Sequence, residues 1–185
     1  NVDLVNGDID KIEAGMRRRG LPTHEVERGA SSTELLGWLV DGIAGLVRPT
    51  RKRYWRTVLA LEEIGRRKRL SGKTLERVLG HCTFCGLMRR ESLSVFFNTY
   101  EYLQSVKGDM ARERRLPDGI LLELSIFRRL MPLLFADLRV TWSTEIYMCD
   151  ASFWGQGVVR GFSDEETVKK LGRVNERWRW RRTNI

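Results

Sequence analysis

The stretch Glu145-Ile-Tyr-Met-Cys-Asp-Ala-Ser-Phe-Trp-Gly-Gln-Gly-Val-Val159 is the part of the chain from which we interpret the rest. Ile146, Met148 and Asp150 alternate with Tyr147 and Cys149 in the manner of a β-strand, whose successive side chains point to opposite faces. Gly155 and Gly157 supply a turn before a second strand at Val158-Val159. This pattern predicts a β-hairpin with Asp150 near the end of its first strand.

The hairpin also carries a resemblance to a known family. An apolar strand that ends in Asp150-Ala-Ser, followed by a small-residue turn and Gly-Val-Val, resembles the first hairpin of the ribonuclease H domain of retroelement reverse transcriptases. In that family the aspartate bridges two Mg²⁺ ions, so the resemblance implies that Asp150 is a remnant of a catalytic metal site. The residues alone also permit the other interpretation, an aspartate that caps a strand-to-turn transition.

The composition indicates a folded protein with an acidic partner. The chain has 185 residues, 42% of them hydrophobic, and 33 basic against 24 acidic side chains give a net charge of +9. Such a charge favours nucleic acid, although an anionic membrane surface or an acidic protein is compatible with it. No apolar run approaches the length of a membrane span. Because the first residue is Asn1, we expect a processed product or part of a longer polypeptide.

The cysteines predict a reducing, intracellular compartment, and two of them are predicted to pack in the core. Three cysteines and no signal peptide argue against a disulfide framework. Cys82 and Cys85 form a Cys-x-x-Cys, but a structural zinc site needs two further ligands. Both cysteines fall on the apolar stripe of a predicted helix, which favours burial over metal or redox chemistry. No metal site is predicted.

The N-terminal part predicts a helix and a hairpin that resemble the end of a reverse transcriptase palm. A helix is predicted from Asp8 to Arg19, then an extended edge segment from Leu21 to Glu27. The stretch from Glu34 to Asp41 is predicted to be a strand that Gly42 and Gly45 break. It resembles the hairpin that holds the primer terminus in that family. The resemblance implies a primer-grip role for Leu36, Gly37 and Trp38.

Three predicted helices follow and resemble a reverse transcriptase thumb. They run from Pro49-Thr50 to Arg69, from the capping residue Ser71 to about Leu87, and from about Ser92 to Val106. The phrase Ser71-Gly-Lys-Thr-Leu-Glu-Arg-Val-Leu-Gly-His81 carries the resemblance. For the third helix the spacing predicts the buried residues Leu93, Phe96, Phe97, Tyr100 and Leu103. A thumb lays basic helix faces along a template-primer duplex. The resemblance therefore implies contacts to the nucleic-acid backbone from Arg51, Lys52, Arg56, Arg66, Lys73, Arg89 and Arg90.

The C-terminal half contains a predicted linker, an amphipathic helix and a basic tail. Asp118 is expected to cap a helix whose apolar residues recur at i, i+3 and i+4 up to Leu134, at the place of the family's connection segment. The tail interleaves Arg177, Trp178, Arg179 and Trp180. Alternation of arginine and tryptophan fits a segment that stacks on bases and pairs with phosphates, and equally an edge strand with a buried aromatic face.

Taken together, the sequence predicts a helix-rich α+β chain in four parts. They are a palm-end helix and hairpin at 1–48, a thumb-like three-helix bundle at 49–107, a linker and connecting helix at 108–143, and a truncated ribonuclease H-like hairpin at 144–185. The paired palm aspartates and the remaining ribonuclease H carboxylates have no counterparts in this chain. The resemblance therefore implies no catalysis by the isolated chain, no cofactor of its own, and Mg²⁺ only where other segments complete the site.

Two functions are compatible with this interpretation. The chain is either the part of a reverse transcriptase and ribonuclease H polyprotein that holds a nucleic-acid duplex, or a domesticated basic subunit that docks on RNA or proteins in a larger assembly. The expected partners are accordingly an RNA or DNA duplex, structured RNA, or the other members of such an assembly.

Overall fold

The computed structural model describes residues 2–24, 26–152 and 154–173. Over these ranges the protein is a helix-rich α+β chain with small antiparallel sheets, which confirms the predicted class. The described residues up to Leu138 form one compact unit, and those from Arg139 to Arg173 form a second.

The first unit holds most of the secondary structure. Its helices and strands are α1 (Val2–Arg18), β1 (Ser32–Leu35), β2 (Trp38–Asp41), β3 (Leu46–Pro49), α2 (Arg51–Arg67), β4 (Arg69–Ser71), α3 (Gly72–Gly86), α4 (Phe97–Ser105), β5 (Glu113–Arg115), α5 (Asp118–Leu130) and β6 (Ala136–Asp137). Short 3-10 helices at Arg90–Phe96, Lys107–Asp109 and Met131–Leu133 connect some of them.

The N-terminal sheet differs from the predicted hairpin. The stretch 34–41, predicted as one strand, contains a tight turn at Leu36-Gly37, so β1 pairs with β2 in a hairpin closed by two residues. Both turn residues have positive φ, 51° and 87°, as a two-residue hairpin with the right strand twist requires. β3 and the distant β6 then complete a four-stranded sheet in the order β1-β2-β3-β6. At its described positions the segment 21–27 belongs to no strand.

The core lies between α2, α3 and α5. One side of each helix is buried, and residues of the 3-10 helices and Leu116, which follows β5, add to the core at its edges. The central side chains include Leu61 and Ile64 of α2, Leu75 and Leu79 of α3, and Ile120, Leu124 and Phe127 of α5, with Phe96, Leu116 and Met131 around them. Complete burial of an aliphatic or aromatic side chain contributes about 1.5–3 kcal/mol. This cluster is therefore the main source of stability in the first unit.

The third predicted helix begins differently, and this changes which residues it buries. The chain forms a 3-10 helix over Arg90–Phe96 before α4 starts. A 3-10 helix turns about 120° per residue and an α-helix about 100°, so seven residues shift the phase by about 140°. Phe97 and Tyr100, predicted to be buried, are 67% and 48% exposed, whereas Thr99 is fully buried. Phe96 lies in the core as predicted.

The second unit contains a β-hairpin and a short helix. β7 (Glu145–Ser152) pairs with β8 (Gly155–Phe162), and Asp150 lies opposite Gly157. Gly155 and Gly157, predicted to form the turn, lie within β8, because β7 extends further than the alternation suggested. Helix α6 (Glu165–Gly172) is capped by the Asp164 carboxylate, which accepts a hydrogen bond from the Thr167 amide at 2.8 Å. Every residue of β8 is exposed, although a two-stranded ribbon alone is marginally stable in water.

A buried carboxylate joins two helices of the first unit. Glu123 of α5 is only 7% exposed, and its two oxygens accept four hydrogen bonds from the start of α4. The donors are the Asn98 amide (2.8 Å), the Asn98 side chain (2.7 Å), the Thr99 amide (2.9 Å) and the Thr99 hydroxyl (2.7 Å). The first amides of an α-helix lack partners within the helix. Glu123 thus supplies the N-terminal cap of α4 from outside that helix.

We expect replacement of Glu123 by glutamine to destabilise the fold. The substitution keeps the shape but turns one acceptor oxygen into a donor, so buried donors of Asn98 or Thr99 lose their partner at a cost of about 2–3 kcal/mol. Urea unfolding of Glu123→Gln measures the loss, and the exposed Glu76→Gln serves as the matched control with a change below about 0.5 kcal/mol. Equal stability of the two variants would contradict a capping role.

Candidate nucleic-acid interface

The first turn of α2 concentrates positive charge at a helix end that is already positive. Arg51 and Lys52 are exposed, Arg56 is exposed one turn further on, and the first turn contains no acidic residue. Thr50 precedes the helix without donating or accepting a side-chain capping bond. None of these three cations forms an ion pair with another residue in the described ranges. Since the helix dipole disfavours cations at an N-terminus, this turn is electrostatically suited to an anion.

An aromatic ring accompanies these cations. Trp55 is 50% exposed and Leu59, one turn later, is 58% exposed. The Trp55 ring meets the Tyr54 ring edge-on at 5.3 Å, which holds it at the surface. Trp55 was not among the residues predicted from the sequence. The available signal was its place next to Arg56 and one residue after Tyr54, which packs against the core, since a tryptophan one residue off an apolar stripe points toward solvent.

The turn at Leu36-Gly37 is fixed against the helices. Trp38 stacks on Phe84 of α3, with ring centroids 4.3 Å apart and an angle of 17° between the ring planes. The Arg53 guanidinium of α2 lies 3.9 Å from the centroid of the Phe84 ring. The Gly37 carbonyl accepts a hydrogen bond from the Thr50 amide at 3.1 Å. Leu36 is 84% exposed at the tip. Of the three residues predicted to grip a primer, the structure therefore exposes Leu36 and places Gly37 and Trp38 against the bundle.

The other residues predicted to contact the nucleic-acid backbone lie on separate parts of the first unit. Arg66 sits near the far end of α2, about 22 Å from Arg51 at 1.5 Å per residue. It donates two hydrogen bonds to Glu63, at 2.9 and 2.8 Å, and Arg66 and Arg67 together lower the pKa of that carboxyl to about 2. Arg66 thus has a partner on its own helix. Lys73 is exposed at the start of α3.

Arg89 lies between α3 and the following 3-10 helix, and Arg90 is the first residue of that 3-10 helix. Arg89 donates to the Phe135 carbonyl at 3.2 Å, and its guanidinium lies 5.7 Å from the centre of the Phe135 ring. Arg90 is exposed. The predicted residues Arg177, Trp178, Arg179 and Trp180 lie outside the described residues. The structure accordingly brings together Arg51, Lys52 and Arg56, and it places Arg66, Lys73, Arg89 and Arg90 elsewhere.

A second basic cluster was missed in the sequence. β4 pairs with β5 so that Arg69 lies directly opposite Arg115, and both side chains are exposed. Like charges that face each other across antiparallel strands are destabilising. Neither arginine is ion-paired within the part of the chain that the structure describes. The neighbouring Arg114, in contrast, is bound by the Asp109 carboxylate at 2.7 Å. The sequence pattern predicted Arg69 at the end of a helix and Arg115 in a linker, since strands of only three residues leave little alternation to detect.

Asp150 has no set of metal ligands around it among the described residues. It is exposed in β7. A pair of Mg²⁺ ions requires several oxygen ligands in one place. In the described ranges no three histidine, cysteine or acidic side chains come together in a way that could hold a metal ion. The described residues therefore do not form a two-metal centre, and no catalytic step is derived through Asp150.

The Cys-x-x-Cys lies in the core. Cys82 and Cys85 are both fully buried in α3, as the apolar stripe predicted, and the Cys85 sulfur lies 3.9 Å from the Thr57 hydroxyl of α2. Burial raises the pKa of both thiols, which keeps them protonated and unreactive. Cys149, in contrast, is exposed.

Comparison of the chain with protein-family models, curated proteins and solved structures found no significant match. Among the described helices, none has the combination of length and apolar composition that crossing a bilayer requires. The geometry of the basic surfaces is therefore the basis on which a function can be argued.

We expect the three thiols to fall into two classes. In the native protein, 5,5′-dithiobis(2-nitrobenzoic acid) should react promptly with one thiol per chain, Cys149, and in denaturant with all three, because only the exposed sulfur is accessible. Cys149→Ser is the control and should abolish the native signal. Prompt reaction of two or three native thiols would contradict core packing of Cys82 and Cys85.

We expect opposite effects from alanine at two glycines. Gly37→Ala forces a positive φ on alanine and sets its Cβ 2.7 Å from the Arg53 guanidinium, so we expect a loss of about 1–2 kcal/mol. Gly80→Ala, in the exposed middle of α3 with open space around its Cβ, should gain about 0.5–1 kcal/mol. Urea unfolding of both variants measures the difference. A neutral Gly37→Ala would mean that the turn does not need its present conformation.

Proposed function

We propose that the protein binds the sugar-phosphate backbone of a nucleic-acid duplex, as the thumb and connection part of a retroelement reverse transcriptase would. The observation that carries this proposal is the start of α2, where Arg51 and Lys52 in the first turn and Arg56 one turn further on form no ion pair with a described residue, at the positive end of a helix dipole. Phosphates supply the negative charge that this arrangement lacks within the described chain. The net charge of +9 supports the same partner.

Each element of this surface has a defined task in the proposal. Arg51, Lys52 and Arg56 bind successive phosphates, and the first free amides of α2 add donors to the same anions. The exposed faces of Trp55 and Leu36 pack against sugars or a terminal base pair. These contacts do not read base identity, so the binding is independent of sequence.

The second cluster extends the footprint. Arg69 and Arg115 follow the far end of α2, whose 17 residues span about 25 Å. Duplex DNA rises about 3.4 Å per base pair, so the two clusters are separated by the length of about seven base pairs. A phosphate near Arg69 and Arg115 would relieve the repulsion between these facing cations. Two separated clusters favour a long ligand over a small anion.

The assignment to a reverse transcriptase fragment is part of the proposal. It is supported by the order of elements along the chain: a helix and small sheet, three successive helical segments, a connecting helix, and an antiparallel hairpin that carries Asp150. In this role the chain positions the duplex for active sites that lie in other segments. Its own residues bind and orient the backbone and transfer no atoms.

The second candidate is a basic structural subunit of a larger assembly. It is favoured by apolar side chains on the outside of the connecting helix, Leu122 (61% exposed) and Ile126 (39%), with Leu133 (59%) in the following 3-10 helix. Apolar residues grouped on a surface mark contacts between proteins. In that role the exposed side of α5 would carry the partner, and the cations of α2 would be accessory.

Removal of the α2 cations should reduce the salt dependence of binding. For the wild-type protein and an RNA-DNA hybrid, the logarithm of the binding constant should fall linearly with the logarithm of salt concentration by about 0.9 per phosphate contacted. The variant Arg51→Ala/Lys52→Ala/Arg56→Ala should lower that slope by about 2–3 and weaken binding at least tenfold. Fluorescence anisotropy between 50 and 200 mM salt measures both quantities.

The matched control removes the same charge from another place. Arg17→Gln/Arg18→Gln/Arg19→Gln changes three exposed cations at the end of α1 and should alter the slope by less than one. If the control loses as much affinity as the α2 variant, binding reflects net charge alone and the proposed surface is wrong. If the wild-type protein does not bind the hybrid, the subunit function is favoured.

A further inference from the structure

A cavity lies beside the first turn of α2. It has a volume of about 590 Å³ and is formed by β2, β3, the start of α2 and the segment 131–135. Its walls are largely apolar, with Leu39 and Met131 among them, and two aromatic residues, Tyr54 and Phe135, contribute rings. This volume lies within the range of pockets that hold small organic groups.

Its only charged lining residues in the described ranges are arginines. Arg48 and Arg51 line the cavity, and no acidic side chain does. The Arg48 guanidinium, on a half-exposed side chain, lies 3.8 Å from the Asp41 carboxylate, which is a long contact for an ion pair, and Arg51 has no ion pair with a described residue. An apolar, partly aromatic cavity with two cations is complementary to a flat group that carries a negative charge.

We propose that this cavity receives the unpaired terminal base of a nucleic-acid strand, with Arg48 and Arg51 on its phosphate. The inference deepens the proposed function and rests on it, because Arg51 belongs both to the cavity and to the backbone-binding turn of α2. Tyr54 and Phe135 offer rings on which any base can stack. The apolar walls exclude water from the base, and the two guanidinium groups bind the phosphate to which it is attached.

The arrangement distinguishes an unpaired base from a paired one. A base inside a duplex must leave its stack and its partner before it can enter a cavity, at a cost of a few kcal/mol, whereas an overhanging base has already left its partner. The protein should therefore prefer the end of a duplex with a single-nucleotide overhang over a blunt end. Stacking of one base on protein aromatic rings is worth about 1–3 kcal/mol, so we expect a preference of about tenfold.

The test compares two ligands that differ by one nucleotide. One is a blunt RNA-DNA hybrid and the other is the same hybrid with a terminal unpaired 2-aminopurine nucleotide, whose fluorescence falls when the base stacks. The wild-type protein should bind the overhang about tenfold more tightly than the blunt hybrid and quench its fluorescence. Filling the cavity with Leu39→Trp should remove both effects and leave the blunt hybrid's affinity unchanged. The exposed Leu122→Trp is the control for added tryptophan.

A second variant keeps the test decisive if Leu39→Trp does not fold. Arg48→Gln removes a half-exposed cation from the cavity and should reduce the overhang preference at least threefold, whereas Arg77→Gln, exposed on α3, should not. Overhang preference and quenching that persist in the cavity variants would overturn the proposal.

The outcomes also separate this proposal from the proposed function. Equal binding of blunt and overhanging hybrids, with the α2 triple variant still defective, would overturn base capture and leave backbone binding intact. Equal binding combined with saturable binding of an acetylated Asp-Trp-Asp peptide would assign the cavity to an acidic, aromatic protein segment and overturn base capture. Binding of neither hybrid would overturn both proposals.

Discussion

The position of α4 in the first unit depends on one buried charge. Glu123 lies inside an otherwise apolar side of α5, and the free energy of burying its carboxylate is offset by four hydrogen bonds from the start of α4. The same contact supplies the helix N-terminus with the acceptors and the negative charge it lacks. α4 is short, with nine residues, and such a helix is marginal by itself in water. Its position is therefore set by α5, whose apolar side is in turn held by α2.

The two helix N-termini of α4 and α2 show how a functional surface can be recognised. Negative charge is favourable at a helix N-terminus, and α4 follows this rule, because the Glu123 carboxylate interacts with the positive end of its dipole. At α2 the rule is violated, because Arg51 and Lys52 stand where an acid would be favourable and no described residue compensates for them. Natural chains tolerate such local costs mainly where a ligand removes them. The contrast within one small unit is the physical basis for placing an anionic partner at α2.

The class of fold and several landmarks were accessible from residue spacing. The apolar stripes of α2, α3 and α5 were visible because burial repeats with the period of the helix, and Ser71 marked the start of α3 through its hydroxyl, which accepts from the Thr74 amide at 3.3 Å. Of the candidate site, Arg51, Lys52 and Arg56 were found as cations on a helix. Trp55, Arg69 and Arg115 were not found, because their roles depend on contacts between side chains. The Trp55 ring contacts the Tyr54 ring, and Arg69 and Arg115 face each other across two strands.

By itself the sequence determined the helix-rich α+β class, the burial of Cys82 and Cys85 and the surplus of positive charge, because periodicity and composition are local properties. Tertiary structure alone decided the rest. The Leu36-Gly37 turn, the 3-10 start before α4, the union of β3 with β6 and the burial of Glu123 all arise from contacts between residues far apart in the chain. Local propensity favoured a straight strand at 34–41 and a regular helix at 92–106. Packing against Phe84 and α5 outweighed that preference, because the buried contacts are worth more than the small differences in backbone propensity.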